Sequence, residues 1–126
     1  MRGLTLDTGV LVALERGDHR ARAIVRAAKR RGDRITVPAV VIVEWWRGQR
    51  GPAARLLDAF DVEPLSEALA RSSGLALATS GDGPSMADVI VVASAALRGD
   101  LVYTSDVADL ERVRDAAFPT VRILRI

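Results

Sequence analysis

Four acidic residues lie far apart in the sequence, at positions from which their side chains can meet. Asp7 and Asp106 each directly follow a short apolar segment that has the composition of a strand. Asp88 lies in the first turn of a segment that is apolar on nearly all sides, as in a buried helix. Glu44 falls on the apolar side of a Val-rich segment, and it faces inward if that segment is helical.

The chemistry expected of these carboxylates is the binding of a divalent cation. Converging carboxylates repel one another, raise each other's pKa and are costly to desolvate. The chain has no cysteine and only one histidine, His19, which argues against thiolate or His-rich zinc sites. A site of oxygen ligands favours Mg²⁺, or Mn²⁺, and such ions serve phosphodiester hydrolysis.

Each acid also has a purely structural interpretation. Asp7 could cap the helix that follows it. Asp88 could be an acidic residue favoured by the helix dipole, and Asp106 and Asp109 have the spacing of a capping box, which explains Asp109 better than a role at the site does. Glu44 could be a surface residue. The metal-site hypothesis therefore depends on the joint pattern.

The elements that must position these residues alternate along the chain. Strands are predicted at Leu4–Leu6, Ile35–Val37, Val62–Leu65, Leu101–Thr104 and Val121–Leu124. Helices are predicted at Gly9–Glu15, from the cap Asp18 to about Arg31, from Pro52 to about Phe60, from the cap Ser66 to about Thr79, at Met86–Arg98 before Gly99, and from about Val107. This alternation predicts an α/β fold in which helices cover both faces of a mainly parallel sheet. Functional groups then collect at the carboxyl ends of the strands.

The segment from Pro38 to Arg50 is ambiguous. Its run of β-branched residues, Val40 to Val43, suits a strand. Its length, the proline at its start and the stop at Gly48 to Gly51 favour a helix.

Composition indicates one ordinary globular domain over residues 1–126. The longest apolar run is far shorter than the roughly 20 residues of a membrane span, and nothing resembles a signal peptide, so a cytoplasmic protein is expected. The net charge is +2, and all but one of the basic residues are arginines, the exception being Lys29. This preference suits phosphate recognition, and it equally suits a chain encoded by a GC-rich genome.

The acidic pattern resembles the PIN-domain nucleases and, among them, the VapC-type ribonuclease toxins of prokaryotic toxin–antitoxin pairs. The matching segments are LTLDTGVLVALERGD, VPAVVIVEWWRG and MADVIVVASAALRGDLVYTSDVADLERV. The resemblance carries the family's acidic residues over to Asp7, Glu44, Asp88 and Asp106, as metal-binding and catalytic groups. Its supporting positions fall on Thr8, Ser105 and Asp109.

The resemblance also implies a three-layer α/β/α domain in which both Val-rich segments are helices. It implies Mg²⁺-dependent RNA cleavage. In the mechanism that we hypothesise, a metal-activated hydroxide attacks in line and leaves a 5′-phosphate and a 3′-hydroxyl. The implied partners are an RNA substrate, a second copy of the chain in a homodimer, and a cognate antitoxin protein that occupies the active-site groove.

Two further features have both a binding and a structural interpretation. Trp45 and Trp46, directly after Glu44, could stack on RNA bases or fill a dimer or antitoxin interface, and core packing explains one of them better. One helix carries basic residues at helical spacing, which could follow the RNA backbone or form a solvated face. They are Arg22, Arg26, Lys29 and Arg30.

Two alternative functions belong to other classes. A nuclease-like domain could bind RNA or a protein without catalysis, although all four acids are present. The triplet Asp7-Thr8-Gly9 is also the signature of dimeric aspartic proteases, which are all-β proteins, whereas this chain has helices between its strands.

Overall fold

A five-stranded sheet lies at the centre of the protein, and the computed structural model describes residues 3–126. The strands are β1 (Leu4–Leu6), β2 (Ile35–Pro38), β3 (Asp61–Glu63), β4 (Leu101–Thr104) and β5 (Arg122–Arg125). Their order across the sheet is β3-β2-β1-β4-β5, and every neighbouring pair is parallel. The predicted mainly parallel sheet is confirmed, and a parallel sheet with crossover helices excludes the all-β aspartic protease.

Helices connect the strands and cover the sheet. They are α1 (Thr8–Glu15), α2 (His19–Arg30), α3 (Ala39–Trp45), a 3₁₀ helix (Gly51–Ala59), α4 (Glu67–Thr79), α5 (Met86–Arg98) and α6 (Val107–Ala117). Helices α4, α5 and α6 pack together, and α5 lies against β1, β2 and β4. Helices α1 and α2 pack against each other, α1 also contacts β4, and α2 contacts β2. The fold is the expected three-layer α/β/α arrangement. Within the described residues, no helix combines the length and apolar character of a membrane span.

Side-chain caps set the helix boundaries that the sequence predicts. Asp18 accepts a hydrogen bond from the backbone N–H of Ala21 at the start of α2, and Ser66 begins α4 in the same way. Gly99 ends α5 in the left-handed conformation with φ 72°, which a residue with a Cβ rarely adopts.

The Val-rich segment after β2 is a helix, but a shorter one than the sequence suggested. Pro38 ends β2 and stands before α3 rather than opening it, and α3 ends at Trp45. The chain leaves the helix at Trp46, whose ψ is 127°. Beyond it, the side chains of Arg47 and Gln49 donate hydrogen bonds to carbonyls of the last turn of α3. These hydrogen bonds satisfy carbonyl groups that the backbone N–H groups of a longer helix would have satisfied.

Both edge strands differ slightly from the prediction. β3 covers Asp61–Glu63 rather than Val62–Leu65, because Pro64 has no N–H to continue the ladder. β5 covers Arg122–Arg125 instead of Val121–Leu124, and its Arg125 pairs with Thr104 at the end of β4.

A polar network ties α5 to three strands. The Arg98 guanidinium donates to Asp100 at 2.9 Å and to Thr5 at 2.8 Å, and it also bonds Glu63. Thr5 in turn donates to Asp100 at 2.8 Å. Ser94, the one polar residue in the apolar run of α5, donates to Glu63 and accepts from Arg98. The network fixes α5, and with it Asp88, against β1, β3 and the start of β4.

Candidate metal centre

Asp7 stands where β1 ends and α1 begins. Its side chain is buried, with one carboxylate oxygen accepting from the backbone N–H of Thr8 at 2.8 Å. The other oxygen accepts from the Thr104 hydroxyl at the end of β4, at 2.7 Å. Asp7 therefore caps α1, as its structural interpretation held, but it is also held rigidly at the carboxyl edge of the two central strands.

Asp88 lies in the first turn of α5 and is half-buried. It forms a capping box with Ser85: the Ser85 backbone N–H donates to the Asp88 carboxylate at 2.8 Å, and the Ser85 hydroxyl accepts from the Asp88 backbone N–H at 3.1 Å. The helix dipole and the capping box both favour a carboxylate at this position. These bonds orient the side chain beside the carboxyl end of β4.

Asp106 and Asp109 complete a cluster with Asp88. One carboxylate oxygen from each of the three residues lies within 4.8 Å of the others. The capping box expected between Asp106 and Asp109 does not form, because the Asp106 side chain makes no capping hydrogen bond to α6. Asp109, which the sequence favoured as a cap, is a member of the cluster, and the Asp106 side chain is not engaged as the cap of α6.

Thr104 is a site residue that the sequence analysis missed. Its hydroxyl donates to Asp7 and accepts from the Asp106 backbone N–H at 2.8 Å, so a single buried side chain links both acids. The only available signal was its place as the last strand residue before Ser105 and Asp106, which is a weak one.

Glu44 does not face inward as the sequence predicted. It is exposed on α3 because this short helix turns Val41 and Trp45 to the core instead. Its carboxylate nevertheless lies beside the start of α1, where the Thr8 hydroxyl donates to it at 2.5 Å. Thr8 thus supports Glu44, at the rim of the site.

The pKa values of Asp7, Asp88 and Asp106 are all raised from the ordinary value of an aspartate. Burial raises the pKa of Asp7, and the charges of Asp88 and Glu44 raise it further, against the lowering effect of the bonds from Thr104 and Thr8. Burial also raises the pKa of Asp88, with contributions from the charges of Asp106 and Asp109. The pKa of Asp106 is raised by burial and by the charge of Asp109. Mutual repulsion of this kind is what a bound cation relieves.

The residues present fit a hard divalent cation. No arginine or lysine of residues 3–126 forms an ion pair with any of the five acids. Within this part of the chain no salt bridge offsets their negative charge, and the donor set consists of oxygens alone. Mg²⁺ and Mn²⁺ prefer such donors.

Ser105 packs the loop after β4 against α1. A Cβ added to Gly9 would lie 2.0 Å from the Ser105 hydroxyl oxygen, so the close approach of this loop requires a glycine. The contact places the residue before Asp106 beside the first turn of α1. The supporting role of Ser105 stays a prediction, and the structure shows only that its side chain lies against Gly9.

The aromatic pair divides between the core and the surface. Trp45 is buried, and its ring N–H donates to Glu15 at 2.9 Å, as the core interpretation expected for one of the two. Trp46 is 41% exposed and contacts Trp45 at a centroid distance of 5.8 Å.

The basic residues of α2 lie on its exposed face, as either interpretation required. They are Arg22, Arg26, Lys29 and Arg30. Lys29 bonds the Ala59 carbonyl and lies over the Phe60 ring, on the side of the protein that leads to β3. The far end of this face therefore packs against the 3₁₀ helix.

Comparison with known proteins places the fold among known structures. Similar solved structures include VapBC2 from Rickettsia felis bound to a DNA fragment from their promoter, with a TM-score of 0.76 and 13% identity over 98% of each chain. DNA-bound VapBC from Salmonella typhimurium gives a TM-score of 0.76 and 19% identity, over 99% of this chain and 98% of that one. A toxin–antitoxin complex from Klebsiella pneumoniae gives 0.70 and 21%, over 94% and 95% of the two chains.

These TM-scores establish a shared fold, and at such low sequence identities they establish the fold alone. No curated protein sequence matches the chain at a significant level. The model of the PIN domain matches residues 4–116, which include all five acids of the site. The chain therefore belongs to the PIN-domain family, as its motifs predicted.

Proposed function

We propose that this protein is a metal-dependent endoribonuclease that hydrolyses RNA phosphodiester bonds. The observation that carries the proposal is the cluster of Asp88, Asp106 and Asp109, whose oxygens lie within 4.8 Å of one another. None of these acids forms an ion pair with a basic residue of residues 3–126. Membership of the PIN-domain family supports nuclease chemistry at this cluster.

The acidic residues have distinct tasks in this proposal. Asp88, Asp106 and Asp109 supply oxygens to Mg²⁺, or to Mn²⁺, and Asp7 adds a further carboxylate held by Thr8 and Thr104. Exposed Glu44 adds negative charge at the rim, where it can bind a water or a ligand of the ion. When bound, the ion would lower the pKa of a water and offset the charge that develops on the phosphate.

We further propose that the protein works as a toxin neutralised by a cognate antitoxin, as a homodimer in the cytoplasm. The support is the shared fold, since one similar structure is described as a toxin–antitoxin complex and others as VapBC bound to DNA. An antitoxin that covers the acidic edge of the sheet would exclude RNA from it.

The test is incubation with end-labelled RNA in the presence of Mg²⁺ and, in parallel, of a chelator. We expect cleavage with Mg²⁺, none with the chelator, and recovery when Mg²⁺ is added back in excess. DNA of the same sequence serves as the substrate control. RNA that binds but stays intact under all conditions would instead indicate a nuclease-like binding domain without catalysis.

Replacing Thr104 with Val is expected to lower Mg²⁺ affinity or cleavage about 10–100-fold, as changes to groups that orient metal ligands do. Val keeps the shape of the side chain, but it removes the donor to Asp7 and the acceptor for the Asp106 N–H. Calorimetric titration with Mg²⁺ and cleavage rates measure the effect. Thr79→Val is the matched control, because the Thr79 hydroxyl bonds only carbonyls of its own helix. Equal rates for both variants would contradict the positioning role.

The thermal stability of the metal-free protein should fall as pH rises above about 4. The folded-state pKa values of Asp7, Asp88 and Asp106 are raised above 3.8, so the folded state binds more protons than the unfolded state in the window above that value. Stability contributed by the protonated forms is then lost as pH passes the raised pKa values. Melting temperatures recorded in chelator across this window measure the loss.

Mg²⁺ should reverse this dependence. At 100 times its dissociation constant, an ion that binds only the folded state adds about 2.7 kcal/mol of stability, and the gain should grow with pH because protons compete for the same oxygens. The Asp88→Asn variant should show little of the gain. An Mg²⁺ effect of equal size in that variant would place the ion elsewhere.

A further inference from the structure

A cleft of about 480 Å³ runs along α1 from the acidic site to the turn before α2. At one end it is lined by Gly9 and Ser105, the residues in close contact beside the metal centre. At the other end it is lined by Arg16 and the following turn. We call it the α1 cleft. Its walls are part polar and part apolar, the apolar part coming from Val12 and Ala13 on α1.

The charge along the α1 cleft changes sign. Its inner end is lined by Ser105, which directly precedes the exposed Asp106, and by Gly9 in the first turn of α1, the helix that Asp7 caps. Its outer end holds Arg16, which is exposed and forms no ion pair with any of residues 3–126. The Arg22 guanidinium lies against the same turn, since a Cβ added to Gly17 would be 3.2 Å from it. The acidic residue in this lining, Asp18, is engaged by the Ala21 N–H.

This pattern suits a chain of phosphates that passes through the metal centre. The phosphate whose ester bond is cleaved would lie at the acidic end, where a cation offsets its charge. A flanking phosphate would lie beside Arg16. From Gly9 to Arg16 the helix rises about 10 Å at 1.5 Å per residue. That span corresponds to about three nucleotides at the roughly 3.4 Å rise of a stacked strand.

We propose, on the basis of the nuclease function above, that the RNA strand flanking the cleaved bond lies in the α1 cleft and that Arg16 binds a phosphate about three nucleotides from that bond. Of the basic face of α2, Arg22 lies against this turn. Lys29 lies at the far end of that face against Phe60, so the α2 face as a whole is not the path of the strand.

The test compares Arg16→Ala with Arg122→Ala, which removes an exposed arginine at the opposite edge of the sheet, where β5 begins. Arg16→Ala is expected to raise KM for a mixed-sequence oligoribonucleotide about tenfold, the effect of one charge-assisted contact, with kcat unchanged. The slope of log KM against log salt should decrease by about 0.7, the value for one phosphate of a single strand. Arg122→Ala should change neither quantity.

A series of shortened oligoribonucleotides gives an independent readout. Wild-type affinity should fall when the strand on one side of the cleaved bond is cut below about three nucleotides, and Arg16→Ala should be insensitive to this cut. The same comparison by fluorescence anisotropy on the Asp7→Asn background tests the α1 cleft through binding alone. A protein that cleaves no RNA would then refute the proposed nuclease function without deciding the inference about the cleft.

Equal salt slopes and equal length dependence in wild type and Arg16→Ala would overturn the proposal. If poly-L-glutamate bound the wild type but not Arg16→Ala, while the RNA affinity of the two proteins was equal, the α1 cleft would be a docking site for an acidic protein segment instead of a path for RNA.

Discussion

Asp7→Asn is expected to reduce RNA cleavage more strongly than the substitution of a group that only orients a metal ligand. Substitutions of that second kind reduce activity roughly 10–100-fold. The substitution removes a buried charge at the centre of the acidic edge. It leaves a side chain of the same shape, whose carbonyl can still accept from the Thr8 N–H and whose amide can donate to the Thr104 hydroxyl. Because burial already disfavours the charged form of Asp7, the variant should be at least as stable as the wild type in chelator. Cleavage rates and thermal unfolding by circular dichroism measure the two effects.

Asp58→Asn is the matched control for this prediction. Asp58 is exposed in the 3₁₀ helix, away from the carboxyl edge of the sheet. The Asp58→Asn variant should cleave RNA at the wild-type rate and unfold at the wild-type temperature. Full cleavage by Asp7→Asn would refute the assignment of the catalytic centre, whereas loss of both fold and activity would show that Asp7 is mainly a structural cap.

Arg98→Met is expected to destabilise the protein by about 3–5 kcal/mol, the cost of removing one partner from a buried ion pair. The side chain of Asp100 is only 5% exposed, and among residues 3–126 it would keep Thr5 as its hydrogen-bond partner. Glu63 would lose its cation as well. In a domain of this size the melting temperature should fall by at least about 10 °C. Thermal or urea unfolding in chelator measures the effect without a contribution from bound metal.

Arg71→Met is the control, because Arg71 forms an exposed pair with Glu67 one helical turn away. Such pairs contribute about 0.3–0.5 kcal/mol. The triple variant Arg98→Met, Glu63→Gln and Asp100→Asn should recover part of the stability. It removes the two carboxylate charges that the single variant leaves without their arginine. A single Arg98→Met variant as stable as Arg71→Met would show that the network adds nothing to the fold.

The parts of this structure that depend on local chemistry could be predicted from the sequence. The capping residues Asp18 and Ser66 and the glycine at position 99 act on their own helices, so their effect is visible within a few residues. Asp7 and Asp106 could be placed at one edge because each follows a strand, and parallel strands share their carboxyl edge.

The parts that depend on contacts across the fold could not be predicted. Thr104 gains its importance from the pairing of β1 with β4, which brings it to Asp7 across 97 positions of the sequence. The network of Arg98 likewise joins strands that the sequence separates. Glu44 was placed on the wrong side because a seven-residue helix shows too few turns to define its buried face, and Val40, Val41 and Glu44 do not all share it. Asp109 was misassigned for a similar reason. Its spacing from Asp106 is that of a capping box, so the sequence favoured a helix cap, whereas the structure places Asp109 in the acidic cluster.

The strand order has a consequence for how the site forms. β1 lies between β2 and β4 in the sheet, and β4 is not complete until Thr104. The carboxylates of the site come from residues 7 to 109, so a growing chain on the ribosome lacks a complete set until residue 109 has emerged. Pairing over such separations also forms late in folding. The proposed nuclease should therefore be harmless to the messenger RNA and the ribosome that produce it until residue 109 has emerged and β1 has paired with β4.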